Sequence, residues 1–168
     1  MKKFIAALAI SATLFACGGG ENNDAMDENT TPETSAREEA TETNEVVLEL
    51  GGTDEMKYTK AEMTVPAGAE VTLNFKHEGK MSVEAMGHNF VLLAQGTDLV
   101  AFASDAMMQK DNGYLPADMS SVLAHTNMIG GGESTSITFT APTEPGEYQY
   151  VCTFPGHYGS MQGKLIVQ

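Results

Sequence analysis

The stretch YVCTFPGHYGSMQG, residues 150–163, carries a thiol, an imidazole and a thioether at the spacing Cys152-x4-His157-x3-Met161. Pro155 and Gly156 favour a turn that brings Cys152 and His157 towards one point. Two histidines, one cysteine and a distant axial methionine form the ligand set of blue-copper electron-transfer sites. Hard cations prefer carboxylates and carbonyls, and this stretch has no acidic residue. The stretch therefore predicts a copper site that takes one further histidine from elsewhere in the chain.

Apolar and polar residues alternate over short segments between turn residues, which is typical of β-strands. The pattern predicts strands at 46–50, 58–65, 70–76, 88–93, 134–140, 146–152 and 164–167, and 121–126 is a short eighth candidate. Gly51 and Gly52 are expected to end the first strand. Helical spacing over 97–110 predicts one helix with Thr97 or Asp98 as its N-cap. Together these elements predict an all-β fold, a Greek-key two-sheet β-sandwich of 7–8 strands with one short helical insertion.

The N-terminal residues 1–17 have the pattern of a targeting segment. Lys2 and Lys3 precede an apolar run over 4–15 that is shorter than the roughly 20 residues of a membrane-spanning helix. The segment resembles a bacterial lipoprotein signal, with Cys17 as the acylated residue. Acyl chains would anchor the protein to a membrane without a spanning helix. Gly18 favours the outer membrane by the same resemblance. The alternative is an ordinary secretory signal in which Cys17 has no role.

Residues 18–45 contain nine acidic residues, one basic residue and almost nothing apolar. This composition predicts a disordered acidic linker. The remaining residues, 46–168, form the predicted domain. The net charge of −14 excludes a nucleic-acid partner, because phosphate binding requires a basic surface. The two cysteines, Cys17 and Cys152, have different predicted roles, so no disulfide is expected, and the domain is expected to be a monomer.

Besides His157, three histidines can complete the metal site: His77, His88 and His125. His88 lies in the segment MGHNFVL, residues 86–92, at the start of a predicted strand. Gly87 allows close approach of the backbone, so its carbonyl is a candidate weak axial ligand. Asn89 is a candidate hydrogen-bond donor near the thiolate. His77 is interpreted as a partly buried structural histidine, and His125 as a surface or strand-edge residue.

Two other kinds of metal site compete with a single copper ion. Zinc binds Cys and His well, but structural zinc prefers a stronger fourth ligand than a thioether. A second copper centre wired to the first would need a histidine beside the cysteine, where Val151 and Thr153 stand. With all ligands supplied by the protein, no position is left for a reactant, which argues against an enzyme. Extracytoplasmic copper storage or delivery is the alternative function, and it predicts an exposed, exchangeable site.

The segments MGHN (86–89), AHT (124–126) and CTFPGH (152–157) with Met161 resemble the azurin and auracyanin family of cupredoxins. The resemblance implies an electron carrier with one type 1 Cu(I)/Cu(II) ion. It implies as ligands the Gly87 carbonyl, His88, Cys152, His157 and Met161. Two features depart from the family. No cysteine is available for the disulfide that azurins carry near their N-terminal strands, and Phe90 stands at a core tryptophan position.

The resemblance also implies a docking patch. Electrons are expected to pass through an exposed edge of His157, within an apolar rim formed by Phe154, Pro155, Gly156 and Met86, with Met56 nearby. Small apolar patches suit the weak encounters of redox proteins. The expected partners are redox proteins such as c-type cytochromes or membrane redox complexes. The expected location is extracytoplasmic, periplasm-facing or at the cell surface, with the lipid at Cys17 in the membrane.

Overall fold

The computed structural model describes residues 44–168. These residues form nine strands, namely β1 (Glu45–Thr53), β2 (Lys57–Tyr58), β3 (Glu62–Val65), β4 (Glu70–His77), β5 (Val91–Leu93), β6 (Val122–His125), β7 (Ser134–Thr140), β8 (Gly146–Val151) and β9 (Gln162–Val167). Two short helices, α1 (Val83–Met86) and α2 (Leu99–Ala106), and a 3-10 turn (Lys110–Asn112) lie between strands. The predicted signal peptide and nearly all of the predicted linker lie outside the described residues, and β1 begins one residue before the predicted domain boundary.

The strands form two sheets. One sheet has the order β2-β1-β4-β7 and the other β3-β9-β8-β5-β6. β1 runs parallel to β4, and β3 runs parallel to β9, whereas the other pairs are antiparallel. Side chains of both sheets share one core, including Leu73, Phe75, Leu92, Tyr150 and Leu165. Each such buried side chain contributes roughly 1.5–3 kcal/mol to folding. The predicted two-sheet β-sandwich is confirmed.

The predicted bounds of the first two strands are wrong. Gly51 and Gly52 do not end β1, because the strand pairs with β4 as far as Gly52↔His77 and with β2 at Thr53↔Lys57. The predicted strand 58–65 is two strands in different sheets, since Tyr58 pairs with β1 whereas β3 pairs with β9. The chain crosses from one sheet to the other between Tyr58 and β3. Hydrophobic periodicity does not show such a crossing, because it does not depend on which strand is the partner.

The remaining differences concern the lengths of elements and one additional helix. The helix predicted over 97–110 is the shorter α2, and Asp98 is its N-cap, accepting hydrogen bonds from the N–H groups of Val100 and Ala101. The strand predicted from His88 starts at Val91, and α1 was not predicted. Within residues 44–168, no helix has both the length and the apolar character needed to cross a bilayer.

Candidate metal centre

Three side chains from two distant parts of the chain converge at one end of the sandwich. The ligand atoms of His88, Cys152 and His157 all lie within 4.8 Å of one another. The Cys152 sulfur is 3.9 Å from Nδ1 of His88 and 3.6 Å from Nδ1 of His157. His88 and Cys152 are fully buried, and His157 is 2% exposed. The structure thus brings His88 together with the two loop residues Cys152 and His157.

The loop between β8 and β9 carries two of these residues and Met161. Its ends are tied where strand pairing stops, because the N–H of Cys152 donates to the Met161 carbonyl at 3.0 Å. The N–H of Met161 donates to the His157 carbonyl at 2.8 Å, so the loop closes as a tight turn. Gly156 has a φ of +85°, which favours glycine at that position. The Cys-x4-His-x3-Met spacing is thus matched to a hydrogen-bonded loop.

His88 is oriented by a backbone carbonyl. Its own backbone pairs with Ile129 in an isolated bridge, and its Nε2–H donates to the Thr53 carbonyl at 2.8 Å. That bond fixes the tautomer, so Nδ1 is left as the acceptor that faces Cys152. A carbonyl on the far nitrogen is the usual means of orienting a metal-binding histidine.

His77 lies beside the site without joining it. Its ring stacks on His88, with 4.2 Å between centroids and 16° between planes. Its Nδ1 accepts from the N–H of Gly79 at 3.0 Å, and its Nε2–H donates to the Met86 carbonyl at 2.7 Å. Both nitrogens are occupied, which agrees with a structural role, although the ring is fully rather than partly buried. His125 lies on the edge strand β6, as expected.

The two candidate axial groups each lie next to one member of the cluster. The Gly87 carbonyl oxygen lies 3.8 Å from the Cys152 sulfur. Met161 is fully buried, and a Cβ placed on Gly52 would lie 2.9 Å from the Met161 Cε and 2.8 Å from the His88 Cδ2. These side chains therefore meet over Gly52, which is why β1 carries a glycine there.

The structure shows a further reason for glycine at position 87. A Cβ there would meet the Val83 carbonyl oxygen at 2.7 Å and the Met128 Cγ at 2.9 Å. The glycine makes room for the carbonyl of Val83, the first residue of α1, and for Met128.

Asn89 joins the His88 segment to the copper loop. Its side-chain oxygen accepts from the N–H of Thr153 at 2.9 Å, and its amide nitrogen donates to the Thr153 hydroxyl at 2.8 Å. Both residues are buried, so losing either bond would leave unsatisfied polar groups in the core.

Burial sets the protonation of the cluster. It raises the pKa of the Cys152 thiol to about 12, partly offset by the backbone N–H groups of Asn89 and Phe154, which favour the thiolate. It lowers the pKa of His157 to about 4, with His88 and His77 adding to the shift. The pKa of His88 is also lowered, mainly by burial. Both imidazoles are neutral near pH 7 and suited to bind a cation, which would displace the thiol proton.

The spacing fits one metal ion. With bond lengths typical of a protein-bound divalent metal, about 2.3 Å to sulfur and about 2.0 Å to nitrogen, a sulfur and a nitrogen ligand about 120° apart lie about 3.7 Å from each other. The two sulfur–nitrogen distances are 3.9 and 3.6 Å. Thiolate, imidazole and thioether favour copper over the hard cations. The residues present therefore fit a mononuclear copper ion.

The His157 ring is less exposed than expected. Phe154 lies over it at 4.7 Å between centroids, and Tyr114 packs edge-on against Phe154 at 5.4 Å. Phe154 and Met86 are half-buried, and Met56 is 37% exposed. The Ser160 hydroxyl donates to the Met56 carbonyl, which holds the β1–β2 turn against the loop. The expected exposed edge of His157 is thus only the remaining 2%.

Three residues near the site were not found from sequence. Thr53 acts through its carbonyl, which no side-chain pattern reveals. Tyr114 comes from the 3-10 region, far from the loop in sequence. Tyr58 donates its hydroxyl to the Asn89 carbonyl at 2.6 Å. Only the aromatic character of the two tyrosines could have marked them as candidates.

Comparison with known proteins agrees with this geometry. The family model of copper binding proteins, plastocyanin/azurin family, matches residues 44–168. Azurin-1 of Alcaligenes xylosoxydans xylosoxydans is 42% identical over 125 residues, which covers 72% of this chain and 96% of that protein. Auracyanin-A of Chloroflexus aurantiacus is 39% identical over 125 residues, or 73% of this chain and 74% of that protein. The crystal structure of reduced auracyanin from Roseiflexus castenholzii is 35% identical with a TM-score of 0.65, covering 74% of this chain and 97% of that one.

Proposed function

Because this chain belongs to the plastocyanin/azurin family of copper-binding proteins, we propose that its copper ion is held by His88, Cys152 and His157, with Met161 and the Gly87 carbonyl as weak axial ligands. The protein is a blue-copper electron-transfer protein. The observation that carries the proposal is the convergence of two imidazoles and one thiol on a single buried point. When bound, copper supplies a centre that gains and loses one electron without needing new ligands.

The protein's own groups prepare that centre. Thr53 and Asn89 hold the two ligand segments through hydrogen bonds, so little has to rearrange. The sandwich around Cys152 excludes water from the sulfur. Since the protein supplies all the proposed ligands, no position remains for a reactant, and we infer a carrier rather than an enzyme.

The burial of the proposed ligands also distinguishes electron transfer from copper storage or delivery. Copper storage or delivery predicts an exposed, exchangeable site. His88 and Cys152 are fully buried and Phe154 covers His157, which favours a permanently held ion.

Electrons pass through the side of His157 that faces the rim of Phe154, Pro155, Gly156, Met86 and Met56. A partner that docks on this rim is separated from His157 only by the Phe154 ring. A small apolar patch suits a short-lived redox encounter.

Acidic side chains border this rim. Asp54 and Glu55 precede the exposed Met56, and the exposed Glu84 lies on α1 with Met86. Backbone hydrogen bonding from Lys80 lowers the pKa of Asp54, which keeps that carboxylate charged. The partner is therefore a redox protein with basic side chains around its cofactor, and c-type cytochromes or membrane redox complexes are candidates.

The location is extracytoplasmic, with a lipid anchor at Cys17 and the outer membrane as the favoured site. This rests on the targeting pattern of residues 1–17 and on the length of acidic chain before the domain. Detergent partitioning of the protein from native membranes, compared with a Cys17→Ser variant, tests the anchor. Equal partitioning into the aqueous phase would contradict it.

Visible spectroscopy tests the central assignment. The copper-loaded protein is expected to show an intense thiolate-to-Cu(II) band that disappears reversibly on one-electron reduction. A colourless copper adduct would instead support storage or delivery.

Charge substitution tests the rim. Met86→Lys or Phe154→Lys is expected to slow electron exchange with a small c-type cytochrome while leaving the visible band in place. Leu123→Lys is the matched control, because Leu123 is 43% exposed on β6 and follows Val122, which pairs with Leu93 at the end of β5 away from His88. Equal exchange rates in rim and control variants would count against this route.

A further inference from the structure

Asn89 has three polar groups, and all of them are engaged around the metal centre. Its side chain makes both hydrogen bonds to Thr153. Its backbone N–H hydrogen-bonds to the Cys152 sulfur, which lowers the pKa of that thiol against the effect of burial. The third group is its carbonyl, which accepts the Tyr58 hydroxyl at 2.6 Å across 31 residues of sequence. The conformation of Asn89 therefore depends on Tyr58 as well as on the copper loop.

Tyr58 is held rigidly enough to fix that carbonyl. It lies on the two-residue strand β2, where it pairs with Gly52. Its ring packs edge-on against Phe75 at 6.0 Å and against Tyr150 at 5.3 Å. Burial, followed by the neighbouring Cys152, raises its pKa well above the usual range, so the hydroxyl remains a donor at every physiological pH. Because β2 is held to β1, the strand that carries Thr53, this pair of strands supports His88 and the residue after it.

We propose that Tyr58 is a positioning residue that tunes the copper centre, because its hydroxyl fixes Asn89 so that the Asn89 N–H stays directed at the Cys152 sulfur. A donor on a metal-bound thiolate withdraws electron density from the sulfur and so favours the reduced state. Removing the Tyr58 hydroxyl loosens Asn89 and lowers the reduction potential. The inference rests on the ligand set proposed above.

Tyr150 provides a matched control in the same core. Its ring is fully buried, and its hydroxyl donates to the Lys60 carbonyl at 2.7 Å. Lys60 lies in the turn between β2 and β3 and contributes nothing to the cluster of His88, Cys152 and His157. Tyr58→Phe and Tyr150→Phe thus delete the same chemical group from touching rings, but only the first acts on a ligand-bearing segment.

The experiment compares both variants as copper-loaded full-length protein. Tyr58→Phe is expected to change the reduced-to-oxidised ratio at the wild-type midpoint potential by roughly three- to tenfold. This corresponds to a fall of about 30–60 mV at 59 mV per tenfold for one electron. The thiolate band is expected to shift, and amide exchange at Asn89 in the copper-free protein is expected to quicken. Tyr150→Phe is expected to change neither the potential nor the band.

The possible outcomes distinguish a failure of the proposed Tyr58 role from a failure of the proposed function. If Tyr58→Phe keeps the wild-type potential and band, or if both variants shift equally, the positioning role is refuted while the proposed function stands. If wild-type protein lacks the thiolate band, the proposed function itself fails. Should Tyr58→Phe fold poorly, 3,5-difluorotyrosine placed at position 58 keeps the ring and strengthens the donor. Its potential should then rise, and a fall would overturn the inference.

Discussion

Replacing Gly52 with alanine is expected to displace two proposed copper ligands, His88 and Met161, although Gly52 itself binds no metal. Gly52 lies on β1, buried beneath the ligand cluster. The added Cβ would lie 2.8 Å from the His88 Cδ2 and 2.9 Å from the Met161 Cε. Unstrained carbon atoms sit about 3.5–4.0 Å apart, so both side chains must give way by about 0.6–1.2 Å. His88 has little freedom to do so, because Thr53 holds its far nitrogen.

The loss of stability caused by Gly52→Ala can be estimated from the cost of overpacking. Overpacking a well-packed core costs about 1–3 kcal/mol. A domain of about 125 residues unfolds with an entropy of about 0.26 kcal/mol/K, so the melting temperature is expected to fall by about 4–11 °C. Copper affinity is expected to fall by about tenfold or more, because both displaced side chains are proposed ligands.

Thermal unfolding with and without copper, together with a copper competition titration, measures both effects. Gly159→Ala is the control, since Gly159 lies in the loop that carries His157 and Met161 and a Cβ there meets nothing within 4 Å. That variant should stay within about 0.5 kcal/mol of wild type. A Gly52→Ala protein that melts and binds copper like wild type would refute the packing argument.

Three further predictions concern the metal, the thiol and pH. Removing copper with a chelator should lower the melting temperature and leave the β-sheet circular dichroism intact. The reason is that copper at a hundred times its dissociation constant adds only about 2.7 kcal/mol to the free energy of unfolding of a domain that has its own core. Loss of the sheet signal would contradict this. Cys152→Ser should abolish the visible band while the copper-free protein still folds, and a retained band would exclude the thiolate assignment. Burial lowers the pKa of His157 from 6.5 to about 4, so the unfolded chain binds a proton that the copper-free fold does not. Stability should therefore be fully present above pH 6.5 and fall between pH 6.5 and 4, and His157→Gln should flatten that slope in thermal melts; an unchanged slope would exclude His157 as its source.

Strand prediction succeeded where periodicity and burial coincide. β7 has the predicted bounds, and β4 differs by one residue, because β4 buries alternate side chains and β7 half-buries them. It failed where tertiary pairing decides. Gly51 and Gly52 read as a strand end, yet β4 and β2 hold them in β1. Likewise, the run from Tyr58 to Val65 has one continuous pattern, and only the position of the two sheets divides it.

The chemistry of the centre followed from the sequence, because ligand type and loop spacing are local properties of residues 152–161. Which nitrogen of His88 faces the sulfur, why His77 stays outside the centre, and how Tyr58 and Thr53 support the ligand segment are decided only in three dimensions. These roles depend on backbone carbonyls brought together from separate strands. A carbonyl is the same in every residue, so no sequence pattern distinguishes the one that binds.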